Sequence, residues 1–580
     1  MNLTTMLLAL MGALLPNLVF SAPQPKCRCH PSQNCWPSAK EWDTLASKLE
    51  GRLIPTVPLG TPCHDPTYNA SACETLQKEW FSPETHLESS HSVMHPYWAN
   101  NSCEAYTDRG KPCVVGTYVS YAVEVLSEKD IQTAVKFARD KNLRVVVRTT
   151  GHDYFGRSTG TGALAIWTRN LTSITVDHDY ESPSYTGPAI TLSAGVRGYQ
   201  AIEAAGAANL AVLTGTCPTV GAAGGYIQGG GHSILSSVHG MAADQALSFR
   251  IVAADGSLAT ASPQENPDLF WALAGGSPGS FGVVASVAVR AHPDPAPISG
   301  ARFGFLRGNA TGSFVDAVDY FHDALPSLTS AGATVAYYAD RDSFLISPLT
   351  LPGGSESDAL ELLRPLSDKV VRELGLGVSV GLEAVESGSL AAHVDEFLGP
   401  LPWGQFEVER RQLGSRLIPG AALGRGSARR ERMYGALRQV AQGGASFAAV
   451  AANATGKWDG AEDAGAVGRA WREALVHVQL YRASGAGDWD TVLSNQDVIT
   501  NDWIPVLDEV LGEIEGGPSA YVNEADHQEK DWKNVFYGEN YEKLLEVKRK
   551  WDPEGFWYGY KSVGSEDWEV DREGFMCRTD

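Results

Sequence analysis

The sequence predicts an α+β fold that is divided into at least two domains. Its 580 residues exceed what one hydrophobic core usually organises, so the chain should split into separate units. From residue 118 to about residue 292, patterns typical of strands and helices alternate, and the segment PDPAP closes this block like a linker. A less regular mixture of strand and helix patterns over residues 298–500 favours a second sheet-and-helix domain.

The first predicted unit is a strand, a helix and a second strand. The segment YVSYAVEV, which starts at Tyr118, alternates as a strand does, and Ser127 is a suitable N-cap for a helix with one apolar face. Leu143–Val147 is the predicted second strand, and it runs into the polar loop RTTGHDYFGRS, residues 148–158. Because loops at strand ends commonly hold ligands, this loop is a candidate site.

Further elements are predicted up to residue 292. Val196–Ala208 has the pattern of a helix, and Ala211–Leu213 that of a short strand. Leu247–Ala261 is predicted to be two strands joined by an Asp-Gly turn. Asn266 precedes a proline at a typical helix start, and Ser280–Val289 is the last strand of the block.

The second half of the chain has fewer clear elements. Thr334–Leu345 has the pattern of a strand, and Ser355–Leu374 that of an amphipathic helix. The aromatic-rich tail, residues 519–560, combines a polar cluster with a helix over Glu539–Lys550, which Asp552-Pro553 ends. The tail is therefore expected to pack as a closing segment.

The most unusual stretch is Gly215–Ser233, GTCPTVGAAGGYIQGGGHS, in which seven residues are glycine. Dense glycine allows a ligand to approach the backbone, and consecutive free N–H groups can cradle a phosphate or support a flat ring. A flexible linker is the alternative, but linkers are usually polar, whereas this stretch carries interspersed apolar residues. No G-x-G-x-x-G follows a strand, and neither a P-loop nor a G-x-S-x-G motif is present.

The N-terminus and the composition predict a secreted protein. The apolar run from Leu7 to Phe20, followed by VFSAP, has the length of a signal-peptide core with cleavage near residue 22. The net charge of -22 argues against nucleic acid or an anionic membrane as partner. Five sequons support a glycosylated chain, at Asn69, Asn100, Asn170, Asn309 and Asn453.

Seven of the nine cysteines lie within the first 113 residues, which is typical of disulfides in a secreted protein. Sequence alone does not fix their connectivity. We expect the local pairs Cys63–Cys73 and Cys103–Cys113, and a long bridge from Cys577 to Cys27 or Cys29. An odd count leaves one thiol over, and Cys217, far from the others, is the expected one.

No metal site is expected. The cysteine spacing matches no common zinc pattern. His86, His91 and His95 in HLESSHSVMH have near-helical spacing, but a solvated loop is the preferred interpretation, because no acid or cysteine is placed to complete a site.

Four motifs in order resemble one flavoprotein family. The loop RTTGHDYFGRS resembles the histidine-bearing flavin loop of the vanillyl-alcohol-oxidase / p-cresol-methylhydroxylase superfamily, and CPTVGAAGGYIQGGGHS resembles the second flavin loop of its berberine-bridge-enzyme-like branch. SFGVVASVAVR is similar to the closing strand of the FAD-binding domain. YVN-x-x-D with the helix NYEKLLEVKRKWDP is similar to the C-terminal signature of the branch.

The resemblance implies a two-subdomain FAD-binding domain of the p-cresol-methylhydroxylase type and an antiparallel-sheet substrate domain covered by helices. The implied boundaries are a signal peptide over 1–22, a Cys-rich region over 23–117, the FAD domain over 118–297, the substrate domain over 298–518 and a returning segment over 519–580.

The resemblance also implies where FAD is held. His152 matches the histidine joined to the flavin 8α-methyl, and Cys217 matches the cysteine joined to flavin C6, so bicovalent FAD is expected. A satisfied loop histidine and a simple free or disulfide-bonded cysteine are the alternatives. The other implied FAD contacts are Thr149, Thr150, Gly151, Asp153, Ser158, Gly221, Gly225, Ile227, Gly230, Gly282 and Val284.

The catalytic base is a departure from the family pattern. Many members carry Tyr directly after the Asn of the C-terminal motif, whereas here Glu524 follows Asn523. A carboxylate could take the proton if burial beside a flavin raised its pKa towards neutral, and a salt-bridged structural glutamate is the alternative. Asp340, Tyr338 and Tyr337 are reserve candidates on a strand of the second domain.

The predicted function is that of a secreted FAD-dependent oxidase acting on an alcohol-type carbon of a sugar, phenolic compound or secondary metabolite, with dioxygen reduced to hydrogen peroxide. Its expected partners are a small-molecule substrate and dioxygen, and the expected state is a monomer. The alternatives are a flavin-dependent dehydrogenase or cyclase, or a secreted binding protein with a flavin fold and no turnover.

Overall fold

The structure is a computed structural model that describes residues 26–408, 410–424, 428–455 and 465–579. The predicted signal peptide over 1–22 lies outside the described residues. Among the residues described, no helix is both long enough and apolar enough to cross a membrane.

The first sheet has four strands and contains the predicted strand-helix-strand unit. Helix Glu128–Asp140 starts where the Ser127 hydroxyl accepts a hydrogen bond from the Asp130 amide, and its apolar side packs on the sheet. The last three strands in this sheet are parallel to one another, and the N-terminal edge strand is antiparallel to its neighbour. In spatial order the strands are Leu53–Pro55, Tyr121–Glu124, Leu164–Trp167 and Val145–Arg148.

The second sheet has five antiparallel strands. The predicted Asp-Gly hairpin is confirmed, with Gly256 at a φ of +79° in its turn. Helices Gly198–Ala207 and Pro267–Leu273 bury their apolar residues in the core on this sheet, at the positions that the sequence indicated. In spatial order the strands are Ile174–Ser182, Tyr185–Ser193, Val283–Arg290, Ala246–Val252 and Leu258–Ala261.

The third sheet, called here the large sheet, has seven antiparallel strands. In spatial order they are Gly377–Ser387, Ile298–Leu306, Ser343–Pro352, Thr334–Ala339, Ser446–Ala451, Ala474–Ala483 and Arg411–Pro419. One face is covered by helices, which share an apolar core with it; these helices are Thr311–Ser330, Glu356–Asp368, Ala428–Gln442 and Ile504–Leu511. Shorter helices connect the remaining parts: Leu390–Leu398, Gly420–Leu423, Arg469–Glu473 and Trp489–Val498.

Two predictions for this domain need correction. The strand predicted over 334–345 is two strands, because the Asp340 carboxylate accepts hydrogen bonds from the Asp342 and Ser343 amides and so fixes a turn. The helix predicted over 355–374 is regular only as far as Asp368, after which one wider turn follows.

The N-terminal region lies on the first sheet and is tied to the C-terminus. Its helices are Ala39–Lys48, Ala70–Glu79, Pro83–Leu87 and Pro96–Ala99. The expected pairs Cys63–Cys73 and Cys103–Cys113 are confirmed, and the long bridge joins Cys577 to Cys27. Cys29 pairs with Cys35, and Cys217 is the free thiol, as the odd count indicated.

The C-terminal segment returns to the first half of the chain. Helices Trp532–Tyr537 and Tyr541–Trp551 follow its polar cluster, and Leu544 is fully buried in the core on the second sheet. The buried Lys548 ammonium donates hydrogen bonds to the Asp552 carboxylate and to the Ser280 and Trp557 carbonyls. These bonds fix the segment against the loop that precedes strand Val283–Arg290.

Candidate active site

A cavity of about 310 Å³ lies between glycine-rich loops and the uncovered face of the large sheet. Its first wall, called the loop wall, consists of cavity-lining residues from segments 149–158, 216–228 and 278–284. Its second wall, called the sheet wall, consists of the inner face of the large sheet with residues 521–524 of the C-terminal segment. Fourteen of the predicted site residues line this cavity: Thr149, Thr150, Gly151, His152, Asp153, Ser158, Cys217, Gly221, Gly225, Gly282, Val284, Tyr338, Asn523 and Glu524.

His152 and Cys217 meet on the loop wall although 65 positions separate them in the sequence. The Thr219 hydroxyl lies 2.7 Å from His152 Nε2 and 3.3 Å from Cys217 Sγ. Thr219 itself is fully buried, so it holds both side chains at one fixed place. An imidazole and a thiol are therefore presented side by side to the same cavity.

Burial sets the protonation of both groups. Burial, assisted by the charges of Arg148 and His86, lowers the pKa of His152 to about 4. Burial also raises the pKa of the Cys217 thiol, although hydrogen bonds with Thr219 and Val220 oppose the change. Near pH 7 the imidazole is neutral and its Nδ1 is not engaged by Thr219, while the sulfur is a thiol.

Glycine is required at several points of the loop wall. A Cβ on Gly221 would lie 2.8 Å from Thr149 Cγ2, and Gly151 and Gly282 have φ angles of +86° and +155°. The Asp153 carboxylate accepts hydrogen bonds from the Phe155 and Ser158 amides, which fixes the loop as a compact turn. The wall therefore offers mainly backbone to the cavity, as a large flat or phosphate-bearing ligand requires.

Glu524 lies opposite, on the sheet wall, within a polar cluster. Its Oε2 accepts a hydrogen bond from Gln479 Nε2 at 2.6 Å, and it lies 3.2 Å from His232 Nε2 and 3.6 Å from His477 Nδ1. Glu524, His232 and His477 are residue types that can bind a metal ion, and they form the one such cluster among the described residues. The hydrogen bonds from Gln479 and His232 to the same oxygen hold the carboxylate of Glu524 in one position.

The predicted rise in the pKa of Glu524 is wrong. Burial alone would raise the pKa of this carboxyl group, but His232, His477 and Gln479 together lower it below its ordinary value. Among the groups that lower this pKa, His232 contributes most, ahead of His477 and Gln479. Glu524 is therefore ionised over a wide pH range.

Asn523 and Tyr338 line the cavity in different ways. The Asn523 amide donates to the Gly225 carbonyl and to the Tyr521 hydroxyl, both at 2.9 Å, so it links the loop wall to the C-terminal segment. The sheet register places Tyr338, Ala448 and Gln479 in one row across three strands. Burial raises the pKa of Tyr338, so its hydroxyl stays protonated at neutral pH.

Some predicted site residues do not reach the cavity. Ile227 is buried in the apolar core, and Gly230 lies beside Met241 at a φ of +113° where the loop turns away. Asp340 lies in the turn described above, and Tyr337 points to the helix-covered face of the sheet, where it contacts His322. Side chains alternate between the faces of a strand, so Tyr337 and Tyr338 cannot serve the same site.

Three neighbours of the candidate base were not predicted from the sequence. His232 belongs to the glycine-rich stretch but was given no role. His477 and Gln479 are alternate residues in VHVQL, and this polar alternation within a buried strand is the signal that could have identified them. The expected solvated loop at His86, His91 and His95 is wrong, since all three are buried and His86 lies within hydrogen-bond distance of Ser92 and of the Trp80 carbonyl.

Comparison with known proteins identifies the family. A family model described as an FAD binding domain matches residues 119–262, and one described as berberine and berberine like matches residues 520–564. The FAD-linked oxidoreductase ZEB1 of Gibberella zeae is 41% identical over 572 residues, which is 98% of each chain. The chain is a berberine-bridge-enzyme-like FAD-linked oxidoreductase.

Other relatives of this FAD-linked oxidoreductase agree. The FAD-linked oxidoreductase patO of Aspergillus clavatus is 39% identical over 581 residues, 100% of this chain and 99% of the relative. The crystal structure of the VAO-type flavoprotein MtVAO615 from Myceliophthora thermophila C1 has a TM-score of 0.89 and 36% identity, over 95% of this chain and 100% of that one.

A more distant structure shares the fold. Glucooligosaccharide oxidase from Acremonium strictum, which has a 6-S-cysteinyl, 8α-N1-histidyl FAD, is 21% identical with a TM-score of 0.63, over 77% of this chain and 92% of that one.

The residues of the loop wall fit FAD. Backbone is exposed where a Cβ would collide with Thr149, and a neutral imidazole lies beside a thiol. Both are groups that can form a bond to a flavin ring. The cavity continues from this wall to Glu524, which leaves a space for substrate beside the cofactor.

Proposed function

We propose that the protein is a secreted oxidase that holds FAD through His152 and Cys217 and oxidises an alcohol-type carbon. The observation that carries the proposal is the convergence of His152 and Cys217 on Thr219, on the wall opposite an ionised carboxylate. When bound, FAD supplies the hydride acceptor, and in its reduced form it passes the electrons to dioxygen, which yields hydrogen peroxide.

The protonation of His152 supports one covalent link to FAD, and the position of Cys217 supports a second. Thr219 engages His152 Nε2, so Nδ1 is the nitrogen left to bond the flavin 8α-methyl. This bond would replace a C–H bond of the methyl group, and dioxygen would accept the two electrons released. The lowered pKa of His152 keeps this nitrogen unprotonated and nucleophilic near pH 7. Cys217 forms no disulfide and lies at the same cavity, which supports a link from its sulfur to flavin C6.

Glu524 is the proposed base for the substrate hydroxyl. Its lowered pKa makes it a weaker base than a carboxylate with a pKa near neutral, so the proposal rests on its position. It is ionised, faces the cavity and is fixed at one oxygen by Gln479 and His232, which leaves a defined direction for accepting a proton. Tyr338 is a weaker candidate, because the raised pKa of its hydroxyl opposes ionisation. In this proposal Asn523 positions the loop wall rather than exchanging protons.

Secretion has independent support from the surface and the disulfides. Four disulfides cross-link the chain, and cytosolic proteins rarely maintain them. Asn69, Asn100, Asn170 and Asn309 are exposed, and Asn453 is half-buried, so the sequons are open to glycosylation to different degrees.

A cyclase activity is the second candidate. Its support is a relative from Penicillium decumbens, the bifunctional decalin synthase calF, which is 35% identical over 95% of each chain. In that case the flavoprotein would redirect an oxidised substrate into ring closure within the cavity.

Peroxide formation tests the proposal. The purified protein is incubated with a panel of sugars, benzylic alcohols and allylic alcohols, and oxygen uptake and peroxide are measured together. We expect at least one alcohol to give one peroxide for each dioxygen consumed. Flavin reduction by an alcohol without oxygen uptake would instead favour a dehydrogenase, and ring-closed products would favour the cyclase.

A further inference from the structure

Among the described residues, one cationic side chain that lines the cavity has neither a hydrogen-bond nor an ion-pair partner. The charged side chains that line the cavity are Asp153, Arg157, Glu407, Arg410, Arg411 and Glu524. Within the described residues, each of the others makes a hydrogen bond or an ion pair, whereas Arg411 makes neither through its guanidinium group. Its guanidinium group makes a cation–π contact with the face of Tyr481, at 4.9 Å from the ring centroid.

Arg411 and the candidate base Glu524 lie at separate positions along the large sheet. The strand register pairs Ser415 with Gln479, which donates to Glu524, and Arg411 lies four residues before Ser415 on the same strand. At about 3.4 Å per residue this corresponds to about 14 Å along the strand. Residues four apart lie on the same face of a strand, so Arg411 and the Gln479 row face the same side of the sheet.

The cavity that Arg411 lines also has apolar residues in its wall. Phe406, Val408 and Leu398 are among them. A guanidinium presents several N–H donors in a planar fork that matches a carboxylate, and a charge-assisted pair of this kind is stronger than a neutral one. An unpaired arginine among apolar walls is therefore a suitable place for the anionic group of an otherwise apolar molecule.

We propose that Arg411 binds an anionic, carboxylate-type group of the substrate, and that the substrate has an aromatic or apolar body which extends from Arg411 towards Glu524. This inference rests on the proposed function, because it assigns the substrate class of the same cavity. The protein has a net charge of -22, so the local charge of Arg411 and not a general attraction must select the anion. A neutral sugar has no anionic group that could pair with Arg411.

Calorimetric titration of the holoenzyme with two matched probes tests the assignment. Benzoate and benzamide have nearly the same shape, but only benzoate is charged. We expect benzoate to bind roughly 10- to 100-fold more tightly than benzamide, as a hydrogen bond to a charged group predicts. Absence of benzoate binding, or equal affinity for the two probes, overturns the inference.

Variants separate Arg411 from general effects of charge. Arg411→Gln should remove the preference for benzoate, and Arg411→Lys should keep part of it, because the charge remains while the fork is lost. Arg410→Gln is the matched control, since Arg410 is paired with Glu407 at 3.2 Å, and it should change benzoate affinity by less than about threefold. Equal losses in Arg410→Gln and Arg411→Gln would contradict a specific role for Arg411.

The binding test is independent of turnover. If no alcohol reduces the flavin while benzoate still binds through Arg411, the proposed oxidase activity fails and the anion site remains. If alcohols are oxidised while benzoate shows no preference, the anion site fails and the oxidase proposal remains.

Discussion

The loop wall and the sheet wall enclose one cavity but are built in opposite ways. The loop wall offers backbone, glycine and two small reactive groups, His152 and Cys217, which Thr219 fixes. The sheet wall offers long polar side chains: Gln479 and Arg411 project from strands, and Glu524 projects from the C-terminal segment.

This difference matches two different tasks. A cofactor of constant shape is held well by backbone and by bonds that do not change between reactions. A substrate is distinguished by side chains, which can be exchanged on a strand without disturbing the sheet. The loop wall should therefore tolerate few substitutions, whereas changes on the sheet wall should alter reaction rate or substrate choice and leave the cofactor in place.

The largest expected effect is on the sheet wall. Glu524→Gln keeps the shape and the contact with His232 but removes the base, so flavin reduction by substrate should slow roughly 10²–10⁴-fold. Stopped-flow absorbance measures the reduction, and the flavin content should equal that of the parent. Glu407→Gln is the control, because Glu407 also lines the cavity but is paired with Arg410. A reduction rate within a few-fold of the parent would reject Glu524 as the base.

The second effect concerns the support of the loop wall. Lys548→Met removes an ammonium that bonds to the Ser280 carbonyl, and it leaves the buried Asp552 carboxylate with its backbone hydrogen bonds but without its cationic partner. Breaking a buried pair in this way typically costs about 3–5 kcal/mol of unfolding free energy. Denaturant unfolding measures the loss. Lys550→Met, which removes an exposed partner of Asp268, should cost less than about 1 kcal/mol. Similar losses in both variants would show that Lys548 has no special role.

The third effect concerns the bridge between the chain ends. Loss of the Cys27–Cys577 disulfide, by replacement of both residues with Ser, should cost about 2–5 kcal/mol, because it opens a loop of 550 residues. The equivalent change at Cys29 and Cys35, which are six positions apart, should cost less in the chain-entropy model. Thermal unfolding compares the two variants. A larger loss at the short bridge would contradict the entropic explanation.

The smallest effect is in the pH profile. The pKa of Glu524 lies below its ordinary value of 4.5, and protonation removes the base, so the reduction rate should fall only as the pH drops through that lowered value. Between pH 7 and pH 5.5 the rate should change by less than about twofold. In His232→Gln the pKa of Glu524 should rise, because burial raises this pKa and His232 no longer opposes it. The acidic limb of the pH profile should therefore move to higher pH. An unchanged limb in that variant would exclude His232 from the control of Glu524.

The loop wall could be predicted from the sequence to a large extent. His152 and Cys217 each lie in a short glycine-rich motif whose conformation is set locally, so motif and structure correspond. Ile227 and Gly230 are not among the residues that line the cavity: Ile227 packs in the core, and Gly230 lies in a turn at a φ of +113°. Local motifs identify the loop, but the face that each residue presents depends on the turns within it.

The sheet wall could not be predicted to the same extent. Glu524 meets His232, His477 and Gln479 only because the C-terminal segment returns across the large sheet. Whether Tyr337 or Tyr338 faces the cavity depends on the strand register, which a change of one residue reverses. The same long-range packing reversed the predicted direction of the pKa shift of Glu524, since its hydrogen-bond donors come from distant segments.

The mass of the denatured protein tests the central claim, that His152 and Cys217 together hold FAD, most directly. We expect the unfolded parent, His152→Ala and Cys217→Ala each to retain the mass of one FAD, because either link is sufficient, and we expect the double variant to retain none. Peptide mapping of the parent should find both residues joined to one flavin. Release of all the FAD from the parent on unfolding, or attachment at any other residue, would contradict the claim.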